Sequence, residues 1–552
     1  MSKVYILTFS FCMTYVMVQA QDPKQWDGEG DLKPIEVIIT TERQITLPSA
    51  NRNFDKVPPR PVEATKPPFT YDFRSFSFQA PQVSLPVKPL KLKAQSKPTL
   101  YGGYLRAGYG NYASPLLEAY INSTRDKNKL YGARFHHRSS GKGPVDGKNS
   151  GSGSTGISVF GKSFSDDLAL SGNLSYDNRT THFYGYPSDA EVNEDSLKQS
   201  YKVFKLSGEL TNAKNSDIAY RLGAGFSYLS DKFDARETEV NLLFNSSYDI
   251  DDETRIDLDA GYYGITRKDE AVEAKPRSLF TVSPSYSLLV MESIKLTVGL
   301  TAAFENDSID SKSAHLYPNF RATYPVSPSV DLVASLTGGI EKVSLQSLSN
   351  ENLWLAPNVP VFHTNKTFDL EVGLKARLGN KVSAQAGLSM ANLKNWYSYV
   401  NLPEDPSKFT VAYDEGGVKR TNLYASLSYA QSELAKFMVR GDYFGYRADE
   451  LSEVWHRPTY RLTAHGSYNL YQKMIFSADL IAQGGMKAFD PETGNDVKLD
   501  GAFDLNLKGE YLFSESFSAF VQLNNITSNE YPLFLNYPVR GFQLLAGITW
   551  SF

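Results

Sequence analysis

Residue types that could carry chemistry are sparse in this chain of 552 residues. Of its seven histidines, only His136 and His137 sit close enough to suggest shared metal ligation. Neighbouring residues on a strand project to opposite faces, so the two imidazoles could chelate one ion only across a bulge. No metal site is expected from them. Residues 139–156 carry Gly141, Gly143, Gly147, Gly151, Gly153 and Gly156, a texture resembling a phosphate-cradling loop. Asn149 follows Gly147-Lys148 where that motif requires Ser or Thr, so the stretch reads instead as a mobile or infolded loop. Serines are abundant, as polar strands require, and none is marked as a nucleophile by its neighbours. Trp354, Trp396, Tyr397, Tyr399 and Trp455 could stack on sugars, but near strand ends they read rather as membrane-interface rings. The sequence therefore assigns no catalytic, cofactor-binding or metal residue, and points away from an enzyme.

The elements that would position any site are strands. Residues 498–513 alternate: Leu499, Phe503, Leu505, Leu507, Tyr511 and Phe513 against Asp500, Asp504, Asn506, Lys508 and Glu510. Phe368, Leu370, Val372, Leu374, Ala376 and Leu378 oppose Asp369, Glu371, Lys375 and Arg377, and Ile256, Leu258, Ala260 and Tyr262 oppose Arg255, Asp257 and Asp259. A soluble sheet also alternates, but segments this long suit a tilted crossing of a bilayer. After residue 20 no apolar run is long enough for a membrane helix. The 34 Tyr and 32 Phe fit a barrel with aromatic girdles, and a net charge of −4 gives no reason to expect a nucleic-acid partner.

The fold class expected is all-β: a transmembrane antiparallel barrel of about 22 strands spanning residues 100–552, with 20 the nearest alternative. Short connections at 125–129, 164–167, 213–217, 249–254, 290–293, 326–330, 378–381, 432–436, 471–473 and 513–516 alternate with longer ones. The longer links include 139–154, 186–200, 344–363, 401–419, 447–456 and 488–497. Short periplasmic turns against long outer loops is the asymmetry of such barrels, and an even count puts both barrel ends on the periplasmic side.

Upstream, Lys3 precedes an apolar stretch and the small-residue pattern Val18-Gln19-Ala20, so residues 1–20 read as a signal peptide. Cleavage there removes Cys12, the one cysteine, and with it disulfides and thiol chemistry. Cys12 as a lipidation site is the competing reading, disfavoured because Phe9-Ser10-Phe11 lacks the small residues expected before it. Residues 21–99 are rich in proline and read as an extended periplasmic or lumen-inserted segment.

The last strand alternates Phe542, Leu544, Ala546, Ile548, Trp550 and Phe552 on one face. It is expected to pair with the first strand, leaving no edge in lipid, and Phe542, Leu544, Ile548, Trp550 and Phe552 are expected to serve barrel closure and assembly. Together with Asn524, Asn525, Glu530-Tyr531 and Pro538-Val539-Arg540-Gly541, this ending resembles the closing strands of TonB-dependent receptors. A second, fainter resemblance is Glu36, Val37, Ile38, Ile39 and Thr40, a TonB-box-like stretch similar to the segment where the plugs of those receptors begin. The resemblance implies an outer-membrane location, transport through the lumen, and membrane lipid and the barrel-assembly machinery as partners. It departs from the family in one respect: the Pro-rich stretch between Arg43 and Leu100 is too short for the family's plug domain.

A barrel of this size is roughly 40 Å across between backbones. Something should fill it: infolded outer loops, the Pro-rich segment or a partner protein. Two functions are expected to compete. One is a receptor or transport barrel that moves or gates a solute through its lumen. The other is a non-conducting scaffold that binds a periplasmic or surface partner protein. Lumen charges such as Asp504, Lys508, Asp369 and Lys375 read as mixed-sign ion pairs in a solvated wall.

Overall fold

A computed structural model describes residues 100–552 apart from 125, 188–191, 213–216, 292, 308–311 and 433. The leader, the Pro-rich segment and the Glu36, Val37, Ile38, Ile39 and Thr40 stretch lie outside the described residues. Among the described residues, 22 strands form one closed antiparallel ring, each paired with its chain neighbours. The first strand, Gly103–Gly110, meets the last, Gln543–Ser551, with Leu105 opposite Trp550 and Ala107 opposite Ile548. Closure lets every strand satisfy its backbone groups without an edge, the condition for crossing a bilayer with β structure.

Period-two alternation fixes which side faces outward. Phe542, Leu544, Ile548, Trp550 and Phe552 are all exposed on the outer wall. So are Leu370, Val372 and Leu374 on Thr364–Leu378, and Phe503, Leu507 and Tyr511 on Ala502–Leu512. An exposed apolar band in a folded chain is the surface a barrel offers to lipid. On the opposite face Asp504 accepts from the Tyr531 hydroxyl at 3.0 Å. Lys366 lies 3.3 Å from Asp369, and Lys508 lies 3.7 Å from Glu510.

Links after even-numbered strands are short, such as 165–167 and 379–381, whereas those after odd-numbered strands extend to 342–363 and 395–417. Three of the long links carry their own hairpins: Trp396–Asn401 with Phe409–Asp414, Lys487–Asp490 with Asn495–Lys498, and Pro532–Phe534 with Tyr537–Pro538. One expectation is corrected here. Leu499 does not begin a wall strand: that strand starts at Ala502, and Leu499 packs with Met486 and Ala488 at the base of a loop hairpin.

Candidate functional site

The first feature that could gate the lumen is the seam where the ring closes. Gly108 sits opposite Gly547 across it, and Phe520 packs against Leu116 and Leu545 beside them on the inner face. A Cβ on Gly547 would come within 2.6 Å of Gly108 Cα, so the two backbones approach as only glycines allow. The Arg106 guanidinium stacks on Phe520 at 4.2 Å from the ring centroid and reaches Glu118 at 3.2 Å. Both charged groups are buried. Of the five outward residues predicted to close the barrel, Leu544, Ile548 and Trp550 lie on the last strand and Phe542 and Phe552 flank it, whereas the sequence does not single out the inner cluster behind them. Its signal in the sequence is two glycines with an aromatic on the neighbouring strand, too common a pattern to single out.

The second feature is a cap built from loops. Residues 183–187, 192–197, 342–363, 395–417, 449–459 and 525–542 contribute to it from separate points around the ring. Tyr537 lies at the meeting point: its ring centroid is 4.2 Å from Trp354, 4.6 Å from Tyr184 and 5.5 Å from Phe409. Phe534 packs edge-on to Trp354 and Tyr399. The Trp354 indole N–H donates to the carbonyl of His182, at the end of the fifth strand, at 2.9 Å. Trp354 itself belongs to the loop after the thirteenth strand, and strands so separated on a ring of this size stand roughly 40 Å apart. Loops rooted there can touch only by reaching across the mouth.

Polar contacts lock this cap to the wall. The helix Leu345–Glu351 begins at Ser344, whose hydroxyl accepts from Ser347 N–H while the Ser347 hydroxyl accepts from Ser344 N–H. Such reciprocal bonds satisfy donors a helix start leaves open. Glu237, from the barrel wall, accepts from Leu345 N–H at 2.7 Å and Gln346 N–H at 2.9 Å. Lys342 pairs with Glu239 at 2.6 Å. Deeper in the cap, Glu351 accepts from Tyr397, Tyr399 and Arg457, and the Arg457 guanidinium lies over Trp396 and Tyr397. Asp414 is buried and accepts from the backbone N–H groups of Glu450 and Leu451, tying two loops together.

Two histidines act as neutral pins. His456 donates from Nδ1 to the Tyr399 carbonyl at 3.0 Å and accepts at Nε2 from Leu535 N–H at 3.3 Å. Loss of solvation around this ring lowers its pKa to about 3. His363 accepts at Nδ1 from Val343 N–H at 3.1 Å, and burial pulls it down to about 4 against the opposing pull of Asp307. Burial likewise pushes the Tyr413 phenol up to about 12.

The aromatics read as interface rings are therefore placed differently. Trp354, Tyr399 and Trp455 are buried, and Trp396 and Tyr397 hold Arg457. Their role is packing between loops, which a local pattern does not reveal. His136 and His137 diverge as expected, His136 toward Ser154 and Asp177 and His137 toward Thr155 and Ser139. Among the described residues no cluster has the ligands to hold a metal ion. Residues 141–151 hold a short turn at Gly147–Ser150, whose Lys148 enters another surface described below.

Beneath the helix Leu345–Glu351 lies a polar cavity of about 350 Å³ on the lumen side. Ser175, Lys205, Ser227 and Asn241 line it from the wall, and Gln346 and Asn350 from the cap. Hydroxyls, amides, the Lys205 ammonium and the Lys342–Glu239 ion pair make this a surface for a polar solute.

No family model matches the sequence, and no curated protein does. Solved structures do match. The FrpB iron transporter from Neisseria meningitidis aligns over 82% of this chain and 82% of its own, with a TM-score of 0.65 at 12% identity. The ferripyoverdine receptor of the outer membrane of Pseudomonas aeruginosa aligns over 83% and 72%, with a TM-score of 0.60 at 12% identity. A ferric enterobactin receptor, PfeA, from the same organism aligns over 82% and 80%, with a TM-score of 0.59 at 10% identity. The barrel thus has the fold of the TonB-dependent receptors.

Proposed function

We propose that this chain is an outer-membrane receptor or transport barrel in which the converged loops gate passage of a polar solute through the lumen. The observation that carries this reading is the Tyr537–Trp354–Tyr184 hub, where loops from distant strands meet over the mouth. The cavity beneath the docked helix supports it by offering a polar solute a resting place just inside that cap. The fold shared with an iron transporter and with outer-membrane receptors supports the general class. Phe542, Leu544, Ile548, Trp550 and Phe552 belong to the same proposal as the signal read by the barrel-assembly machinery. The segment Glu36, Val37, Ile38, Ile39 and Thr40 belongs to it as a contact for a periplasmic partner.

The test is planar-bilayer conductance of the full chain and of a Trp354→Ala/Tyr537→Ala variant. Small conductance in the parent and large, stable steps in the variant support a gated pore. Silence from both, with the variant folded, refutes it. That outcome favours the second reading, a non-conducting scaffold, which the bridged mouth also suits.

A further inference from the structure

Outward-facing residues on the loop side of the third to ninth strands are not uniformly apolar. Strand register places His137, Thr155, Asn178 and Lys202 side by side in one row on the outer wall. The row continues through Ser230 to Arg236 and Lys268. One step toward the loops stand Ser139, Thr180 and Ser200, and one step further His182 faces Lys198. None of these positions is acidic. One step the other way the wall becomes aromatic and apolar, with Ile157, Tyr176 and Phe204 exposed in a single row. Across the ring the corresponding outward row carries Tyr443, Tyr460 and Gly484, and two steps toward the loops the facing pair Arg447 and Lys419 is the basic group on that side.

These residues also enclose a space. A cavity of about 230 Å³ opens between His137, Thr155, Asn178, His182, Lys198 and the loop residue Lys148. His182 is oriented by its Nδ1–H, which donates to the Gly151 carbonyl at 2.6 Å and leaves Nε2 for another partner. Asn178 Oδ1 is buried with no hydrogen-bond partner. Lys198 and Lys202 are exposed on the neighbouring strand, with Lys202 in register with Asn178.

We propose that this arc of the outer wall binds the phosphorylated sugar headgroup of a membrane glycolipid. Lysine ammoniums and histidine N–H groups take the phosphates. Serine, threonine and asparagine take the sugar hydroxyls. The acyl chains lie on the apolar rows immediately below. A free phosphate needs only the cations. The continuous descent from cationic row to aromatic row to apolar band is what commits the site to a lipid. This assignment rests on the reading of the chain as a membrane-spanning barrel with its long loops on the headgroup side.

The experiment uses the full-length barrel in nanodiscs of phosphatidylcholine doped with diphosphorylated lipid A, with lipid retention read by native mass spectrometry. The parent should retain lipid A in preference to phosphatidylcholine. Retention should fall about thirtyfold in a Lys198→Gln/Lys202→Gln variant, at the free energy usual for a basic side chain near an anionic surface. An Arg447→Gln variant, on the seventeenth strand outside the arc, should retain it like the parent. Equal retention by the double variant overturns the proposal, as does an equal loss in Arg447→Gln. Competition by inorganic phosphate at the same concentration as the lipid also overturns it. Failure of the parent to insert into any bilayer would instead overturn the barrel reading. Insertion with no preference for lipid A overturns this site alone.

Discussion

Replacing Glu237 by Ala should release the loop helix from the wall. Its carboxylate is 3% exposed and accepts two backbone N–H groups, one on each oxygen, at 2.7 and 2.9 Å. Hydrogen bonds to a charged group contribute about 1.5–3 kcal/mol each, and two that share one carboxylate add less than independently. The combined loss is therefore about 3–4 kcal/mol, or roughly a hundredfold or more in the local opening equilibrium. The reciprocal Ser344–Ser347 bonds survive, so the helix loosens without the barrel unfolding. Hydrogen exchange followed by mass spectrometry reads this directly. Amides such as Leu348 N–H and Asn352 N–H, which bond within this turn at 3.0 and 2.8 Å, should exchange roughly a hundredfold faster. Peptides from Thr364–Leu378 provide the unperturbed reference. Glu237→Gln keeps one carbonyl acceptor and should lose about half as much free energy. Exchange in the helix within twofold of the parent, with the barrel intact, would falsify the docking argument.

At the seam, a Cβ on Gly547 would lie 2.1 Å from the Ala107 carbonyl oxygen, and backbone on the facing strand cannot yield. Gly547→Val should therefore abolish the heat-modifiable folded band on a gel. Gly441→Val, where a Cβ meets nothing within 4 Å, should assemble normally, and equal assembly of the two variants would contradict the seam reading. Acid should loosen the cap. His456 and His363 are held neutral in the fold, with pKa values of about 3 and about 4. Both are depressed, so the unfolded loops take up protons first: cap stability is full above about pH 6.5 and declines as pH falls toward the folded values. Each histidine contributes a slope of up to about 1.4 kcal/mol per pH unit in that window. Tryptophan emission should shift red between about pH 6 and 4, and His456→Gln should flatten part of the change; a profile identical in parent and variant counts against His456.

Much of the wall was legible because a bilayer imposes it. Lipid on one side and a polar lumen on the other force a period of two, so Phe503, Leu507 and Tyr511 reveal their face without any structure. Turn positions such as 379–381 follow from where that alternation stops. The cap was not legible for the opposite reason. Tyr184 meets Tyr537, and Glu237 meets Leu345, across separations that carry no local period. Trp354, Tyr399 and Trp455 are buried in the cap instead of forming interface rings, a difference invisible locally because a ring near a strand end has the same local sequence whether it faces headgroups or another loop.

By itself, the sequence determined an all-β barrel of 20 to 22 strands, the outward faces of its strands and the pairing of its last strand with its first. Those properties follow from hydrogen-bond closure and a two-residue repeat, both readable along the chain. Tertiary structure alone decided that the loops converge on Tyr537, that Glu237 holds a helix over the lumen, and that seven strands align their basic and hydroxyl residues above the apolar band. Each depends on which residues become neighbours around a closed ring, and register between distant strands is set only when the ring shuts.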